Sequence, residues 1–286
     1  MWTKITHHIE ELIPSPSTPT KGEKIGEMSM FDLGLGGKRA VITGGSDGLG
    51  RATALRLATE GAEVVICGRR GDYLSEQAAK LSDEAGREVR AVQADVSIAA
   101  DCDRLIAEAT DRLGGLDILI NNAGASAAAS LMDVDDAAWQ ADFDLKVMAA
   151  VRLCRAAVPL MRAAGGGSIV NAAIAAGKTP GAKMLPTSLT RAAGLNLTKS
   201  LAQEFAADNI RVNAICIGLL KSAQWDRRAG NAPVDELYAD MSQRVPLGRV
   251  GEAEDYGDLA AFLCSARATY ITGTAINLDG GICAAL

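Results

Sequence analysis

Thr43-Gly44-Gly45-Ser46-Asp47-Gly48-Leu49-Gly50 stands between an apolar run, Arg39-Ala40-Val41-Ile42-Thr43, and a segment of helical period that reaches to about Gly61. A glycine cluster alone marks only a tight turn, because glycine adopts backbone conformations closed to other residues. After a strand and before a helix it carries more. The backbone there can approach a pyrophosphate, and the helix start offers free N–H groups and the positive end of its dipole. This predicts the first strand–turn–helix unit of a dinucleotide site, contacted by Thr43, Gly44, Ser46, Asp47, Gly48, Leu49 and Gly50.

Outward from this turn the pattern alternates strand and helix. Ala62–Cys67, Val89–Val92, Leu116–Ile120, Ser168–Asn171, Ile210–Ile215 and Thr274–Leu278 read as further short strands, each fed by a segment of helical period. Strands separated by helices must run parallel, and right-handed crossovers then place helices on both faces. The predicted fold is a single doubly wound α/β domain of Rossmann type with a seven-stranded parallel sheet, over residues 37–286. Residues 1–36 read as an N-terminal extension: Ile5, Ile9, Leu12 and Ile13 share one helical face, and a Pro/Ser/Thr-rich linker follows, so a mobile tail is expected.

Bulk composition excludes several classes. A net charge of −6 and a pI near 5.1 exclude a nucleic-acid surface, which needs concentrated Lys and Arg. No apolar run is long enough to span a membrane. The six cysteines include no CxxC pair and several lie in apolar runs, so they read as small buried hydrophobes in a reducing cytoplasm. The two histidines are His7 and His8, both in the extension. The domain therefore has no Ser-His-Asp triad, no histidine base and no expected metal site.

The end of the second strand bears on cofactor choice. A carboxylate there would hold the ribose hydroxyls of NAD(H), but the chain reads Gly68-Arg69-Arg70, with no acid before Asp72. A guanidinium can pair with a 2′-phosphate that a carboxylate would repel, so Arg69 and Arg70 predict NADP(H) over NAD(H).

Taken together, Thr43–Gly50, Asp95-Val96, Asn121-Asn122-Ala123-Gly124, and the segments Pro246–Arg249, Thr272-Gly273 and Leu278–Gly281 resemble the short-chain dehydrogenase/reductase family in order and spacing. The resemblance spans about residues 37–282. It implies oxidoreductase chemistry on a small carbonyl or alcohol substrate, and cofactor contacts at Asp95, Val96, Asn122, Ala123, Gly124, Arg191, Gly218 and Ser222. It also implies a homo-oligomer, a tetramer, paired through the helical segments 136–164 and 186–208.

The family's catalytic Asn, Ser, Tyr and Lys positions fall here on Lys146, Ile174, Thr187 and Arg191. An aliphatic hydroxyl such as that of Thr187 donates a hydrogen bond but does not ionise near neutrality. Arg191 can hold ribose hydroxyls yet does not lose a proton. Three readings follow. Lys146 replaces tyrosine as proton donor, its amine depressed by burial and by Arg191, while Thr187 orients the carbonyl. Alternatively a lysine (Lys146, Lys178 or Lys183) serves lyase or isomerase chemistry on the same scaffold. In the third, the chain binds NADPH without catalysis. Met148, Met184, Leu185, Leu219, Leu220 and Trp225 read as a partly apolar pocket or, equally, as core.

Overall fold

The computed structural model describes residues 32–222, 225 and 233–285. The expected amphipathic segment and linker near the N-terminus lie outside the described residues. The compact unit begins at Leu33, earlier than the boundary expected at 37. The reason is apolar: Leu35 is buried in the core, and Ala266 donates its N–H to Leu33 O at 2.9 Å.

Seven parallel strands form one sheet: β1 (Arg39–Thr43), β2 (Glu63–Gly68), β3 (Val89–Gln93), β4 (Ile118–Asn121), β5 (Gly167–Ile174), β6 (Ile210–Ile217) and β7 (Ala275–Leu278). Their order is β3-β2-β1-β4-β5-β6-β7. The fold is the doubly wound α/β layer structure that the alternating pattern predicts. The strands read as continuous apolar runs because both faces are covered. Along β1 the side chains alternate: Ala40 and Ile42 enter one core and Val41 the other.

Among the described residues the helices are α1 (Gly48–Thr59), α2 (Gly71–Ala85), α3 (Ala99–Leu113), α4 (Asp136–Phe143), α5 (Ala149–Ala163), α6 (Thr187–Glu204), α7 (Val234–Ser242) and α8 (Ala253–Cys264). The first core joins α1, α2 and α8 to one face through Leu57, Leu81 and Tyr256. The second joins α3, α5 and α6 to the other through Leu105, Leu153 and Ala202. A π-helical turn, Asp144–Met148, separates α4 from α5 and carries Lys146.

The sheet reverses winding direction between β1 and β4, which lie side by side though β2 and β3 intervene in sequence. Ligands of such folds bind at this switch point, beyond the carboxyl ends of the strands.

Candidate active site

The loop after β1 is locked before any ligand arrives. Thr43 Oγ1 accepts the N–H groups of Asn122 and Ala123, both at 3.0 Å, and Asn122 Nδ2 donates to Thr43 O at 3.0 Å. These bonds fasten the turn after β4 to the end of β1. Gly44 and Gly48 adopt φ of +66° and +47°, which L side chains rarely take. A Cβ on Gly50 would sit 2.2 Å from Gly44 O, so the loop packs directly on the helix start. Asp47 caps α1, accepting from Gly48 N at 2.9 Å. Arg51 N donates to Asp47 O at 3.2 Å, and the N–H groups of Leu49 and Gly50 lie ahead of that bond, in the turn that helix geometry leaves free.

The remaining expected cofactor contacts surround this loop. Val96 is buried, and Asp95 is engaged locally, its Oδ1 accepting from Ser97 N at 3.0 Å and Ser97 Oγ at 2.7 Å. Gly218 donates to Leu278 O at 3.0 Å, and Ser222 N donates to Tyr238 Oη at 3.3 Å. The two arginines beyond β2 differ. Arg70 lies over the Tyr73 ring, 4.0 Å from its centre, whereas the exposed Arg69 has no side-chain hydrogen bond or ion pair among the described residues. The fit to a dinucleotide is therefore good: a helix start with free donors, a glycine-lined approach and an uncommitted guanidinium where a 2′-phosphate would sit.

Across the switch point, Lys146, Thr187 and Arg191 come together on the π-turn and α6. The Lys146 side chain is wholly buried. Its Nζ donates to Thr187 Oγ1 at 3.1 Å and to Asp142 Oδ1. Asp142 Oδ2 in turn accepts from Thr190 Oγ1 at 2.7 Å. Burial, followed at a distance by the positive charge of Arg191, pulls the Lys146 amine down to about 8, and Asp142 resists that shift. The expectation of a depressed amine holds in direction, but sequence reasoning missed its main partner. Asp142 is four residues before Lys146, an ordinary helical ion-pair spacing that usually marks a solvated face.

Arg191 is half-buried and packs against Gly124, where a Cβ would lie 2.4 Å from Nη2, and Nη1 donates to Ala172 O at 2.6 Å. Its Nε is buried without a hydrogen-bond partner, as is Asn121 Oδ1. Both residues line a cavity of about 20 Å³ together with Lys146, Asn171 and Thr190, room for about one water. Ile174 ends β5 and brings no polar group. Thr187 Oγ1 also accepts from Ala127 N at 2.9 Å, so the segment after Gly124 closes over it. Lys178 is committed elsewhere, its Nζ donating to Ala275 O at 2.8 Å and Asn277 Oδ1 at 2.7 Å. Of the apolar residues that read as pocket or core, Leu220 is core. No group of metal-binding side chains occurs among the described residues, and none of their helices is long and apolar enough to cross a membrane.

A parallel sheet wound in both directions, with a glycine loop and helix start at its switch point, defines a dinucleotide-binding class of α/β protein. Comparison narrows the class. The family described as enoyl-(acyl carrier protein) reductase matches residues 44–283. The human dehydrogenase/reductase SDR family member 4 is 37% identical over 252 residues, 86% of this chain and 88% of that protein. Sorbitol dehydrogenase from Cereibacter sphaeroides is 35% identical over 254 residues, 86% of this chain and 98% of that one. L-Sorbose reductase from Gluconobacter frateurii, solved with NADPH and L-sorbose, superposes with a TM-score of 0.86 at 38% identity, over 89% of this chain and 100% of that one. An NADPH-dependent reductase of bacilysin biosynthesis superposes with a TM-score of 0.81 at 30% identity, over 87% of this chain and 100% of its own. The chain belongs to the short-chain dehydrogenase/reductase family.

Proposed function

We propose that this protein is an NADP(H)-dependent oxidoreductase of small carbonyl and alcohol substrates in which Lys146 is the ionising group and Thr187 the hydroxyl that meets substrate oxygen. The contact between Lys146 Nζ and Thr187 Oγ1, 3.1 Å long and buried, carries this reading. Relatives solved with NADPH, the NADPH-dependent reductase of bacilysin biosynthesis and the uncommitted Arg69 support the cofactor. The bound dinucleotide supplies or accepts the hydride.

Thr187 Oγ1 accepts two hydrogen bonds, from Lys146 and Ala127, which leaves its own O–H to donate. In reduction, that O–H passes its proton to the substrate oxygen in the same step as Thr187 takes one from the Lys146 ammonium, so no alkoxide forms and lysine ends as the neutral amine. Oxidation reverses each transfer. Reduction needs the charged form, so its rate should fall as pH rises through about 8, and oxidation should rise over the same range.

Lys146→Met is expected to abolish NADPH-dependent carbonyl reduction while NADPH affinity, measured by fluorescence titration, stays near that of the wild type. The variant leaves the Asp142 carboxylate buried without its cation, at a cost of about 3–5 kcal/mol. Asp142→Asn/Lys146→Met removes both charges and should recover stability without activity. Full turnover by Lys146→Met would discard the mechanism.

One observation favours a second reading. The Lys146 side chain has no exposed surface and Thr187 is only 4% exposed, the condition of a closed site in a protein that binds NADPH without turnover. A panel of ketoses, ketones and their alcohols separates the two: tight NADPH binding with no consumption on any of them selects the second.

A further inference from the structure

We propose that Asp142 is a positioning residue of this site, steering the Lys146 amine onto Thr187 Oγ1. The inference rests on the reading of Lys146 as proton donor. Asp142 is 4% exposed, and a carboxylate so enclosed must be paired or lose its charge. Both oxygens are taken: Oδ1 accepts from Lys146 and Oδ2 from Thr190 Oγ1 at 2.7 Å. Thr190 and Thr187 lie one turn apart on α6. Asp142, Lys146, Thr187 and Thr190 thus close a ring between the end of α4 with its π-turn and the start of α6. A lysine side chain has four flexible torsions. Two bonds to Nζ, one from each side of the ring, hold it to one geometry and leave its third N–H free.

The ring also sets the charge. The groups acting on Lys146 are Asp142 from α4 and Arg191 from α6. Burial and Arg191 favour the neutral amine, and Asp142 alone opposes them. Removing that carboxylate charge should lower the pH at which the amine loses its proton. A carboxylate that only stabilised the helix pair would alter melting temperature and leave the pH profile alone.

Asp142→Asn tests this, since the amide keeps the shape and a partner for Thr190 but carries no charge. The alkaline limb of NADPH-dependent carbonyl reduction should move down by about one pH unit, with the KM for NADPH unchanged. The amine's own titration, followed by NMR on lysine carrying carbon-13 at Cε and assigned by its absence from Lys146→Met, should fall by the same amount. An unchanged midpoint in folded Asp142→Asn overturns the inference. Full turnover by Lys146→Met overturns instead the reading beneath it, and the NMR midpoint still decides what Asp142 does to the amine. Should Asp142→Asn fail to fold, Asp142→Glu decides. It keeps the charge and displaces the carboxylate by one methylene, so the wild-type midpoint should persist while kcat falls several-fold. Wild-type kcat in that variant would overturn the positioning role.

Discussion

Burial and the Arg191 guanidinium favour a neutral Lys146, the Asp142 carboxylate favours the ammonium, and the balance leaves the amine near 8. The family resemblance brought Arg191 to Lys146 at the level of sequence, but it did not bring Asp142, whose spacing reads as a solvated helix face. The arginines beyond β2 show the same limit. Arg69 and Arg70 are equivalent in the sequence, but the ring of Tyr73 occupies one of them. Arg69→Ala is therefore expected to weaken NADPH binding roughly tenfold or more while sparing NADH, and Arg70→Ala to do less. Calorimetric titration showing equal loss of both cofactors in Arg69→Ala would end the assignment. A third residue bears on stability. Tyr256 is fully buried on α8 and its hydroxyl has no hydrogen-bond partner. An unsatisfied buried hydroxyl costs about 1–3 kcal/mol, so Tyr256→Phe should raise the melting temperature by a few degrees. A lower melting point would mean that the hydroxyl has a partner in solution.

The unit of β1, glycine loop and α1 was legible as an element because strand period, helix period and glycine spacing all point the same way. Its expected strand, Arg39–Thr43, has the bounds of β1. What the sequence does not display is how tightly the loop closes. Gly50 meets a backbone oxygen, Gly44 O, at 2.2 Å from its hypothetical Cβ, and a backbone atom cannot swing aside as the end of a long side chain can. Gly50→Ala should therefore cost about 1–3 kcal/mol of stability and open the loop that would cradle a pyrophosphate, lowering NADPH affinity. Unchanged melting and affinity would show that the loop yields more easily than its contacts imply. The start of the compact unit at Leu33, ahead of the expected 37, has a related reason. Leu33 and Leu35 lie in a Gly-rich stretch without helical or strand period, and their apolar character becomes informative only once the core they enter exists.

At the scale of the whole molecule, the segments that the resemblance assigns to subunit pairing carry exposed apolar side chains, Phe143 on α4 (36% exposed) and Leu189 on α6 (48% exposed). A homotetramer is expected by sedimentation, and Phe143→Asp with Leu189→Asp should shift it to smaller species; a wild-type monomer at micromolar concentration would refute this. Architecture was determined locally. Strand period, helix period and glycine loops repeat along the chain, and parallel crossovers admit few topologies, so the sequence by itself was enough for the doubly wound sheet and for the position of its glycine turn. The candidate catalytic ring was decided by tertiary structure. Asp142 and Lys146 become a buried pair only because α6 packs across the π-turn and excludes water, and Thr187 and Thr190 meet them from 41 and 48 residues away. Desolvation belongs to the folded environment, and no residue type announces it.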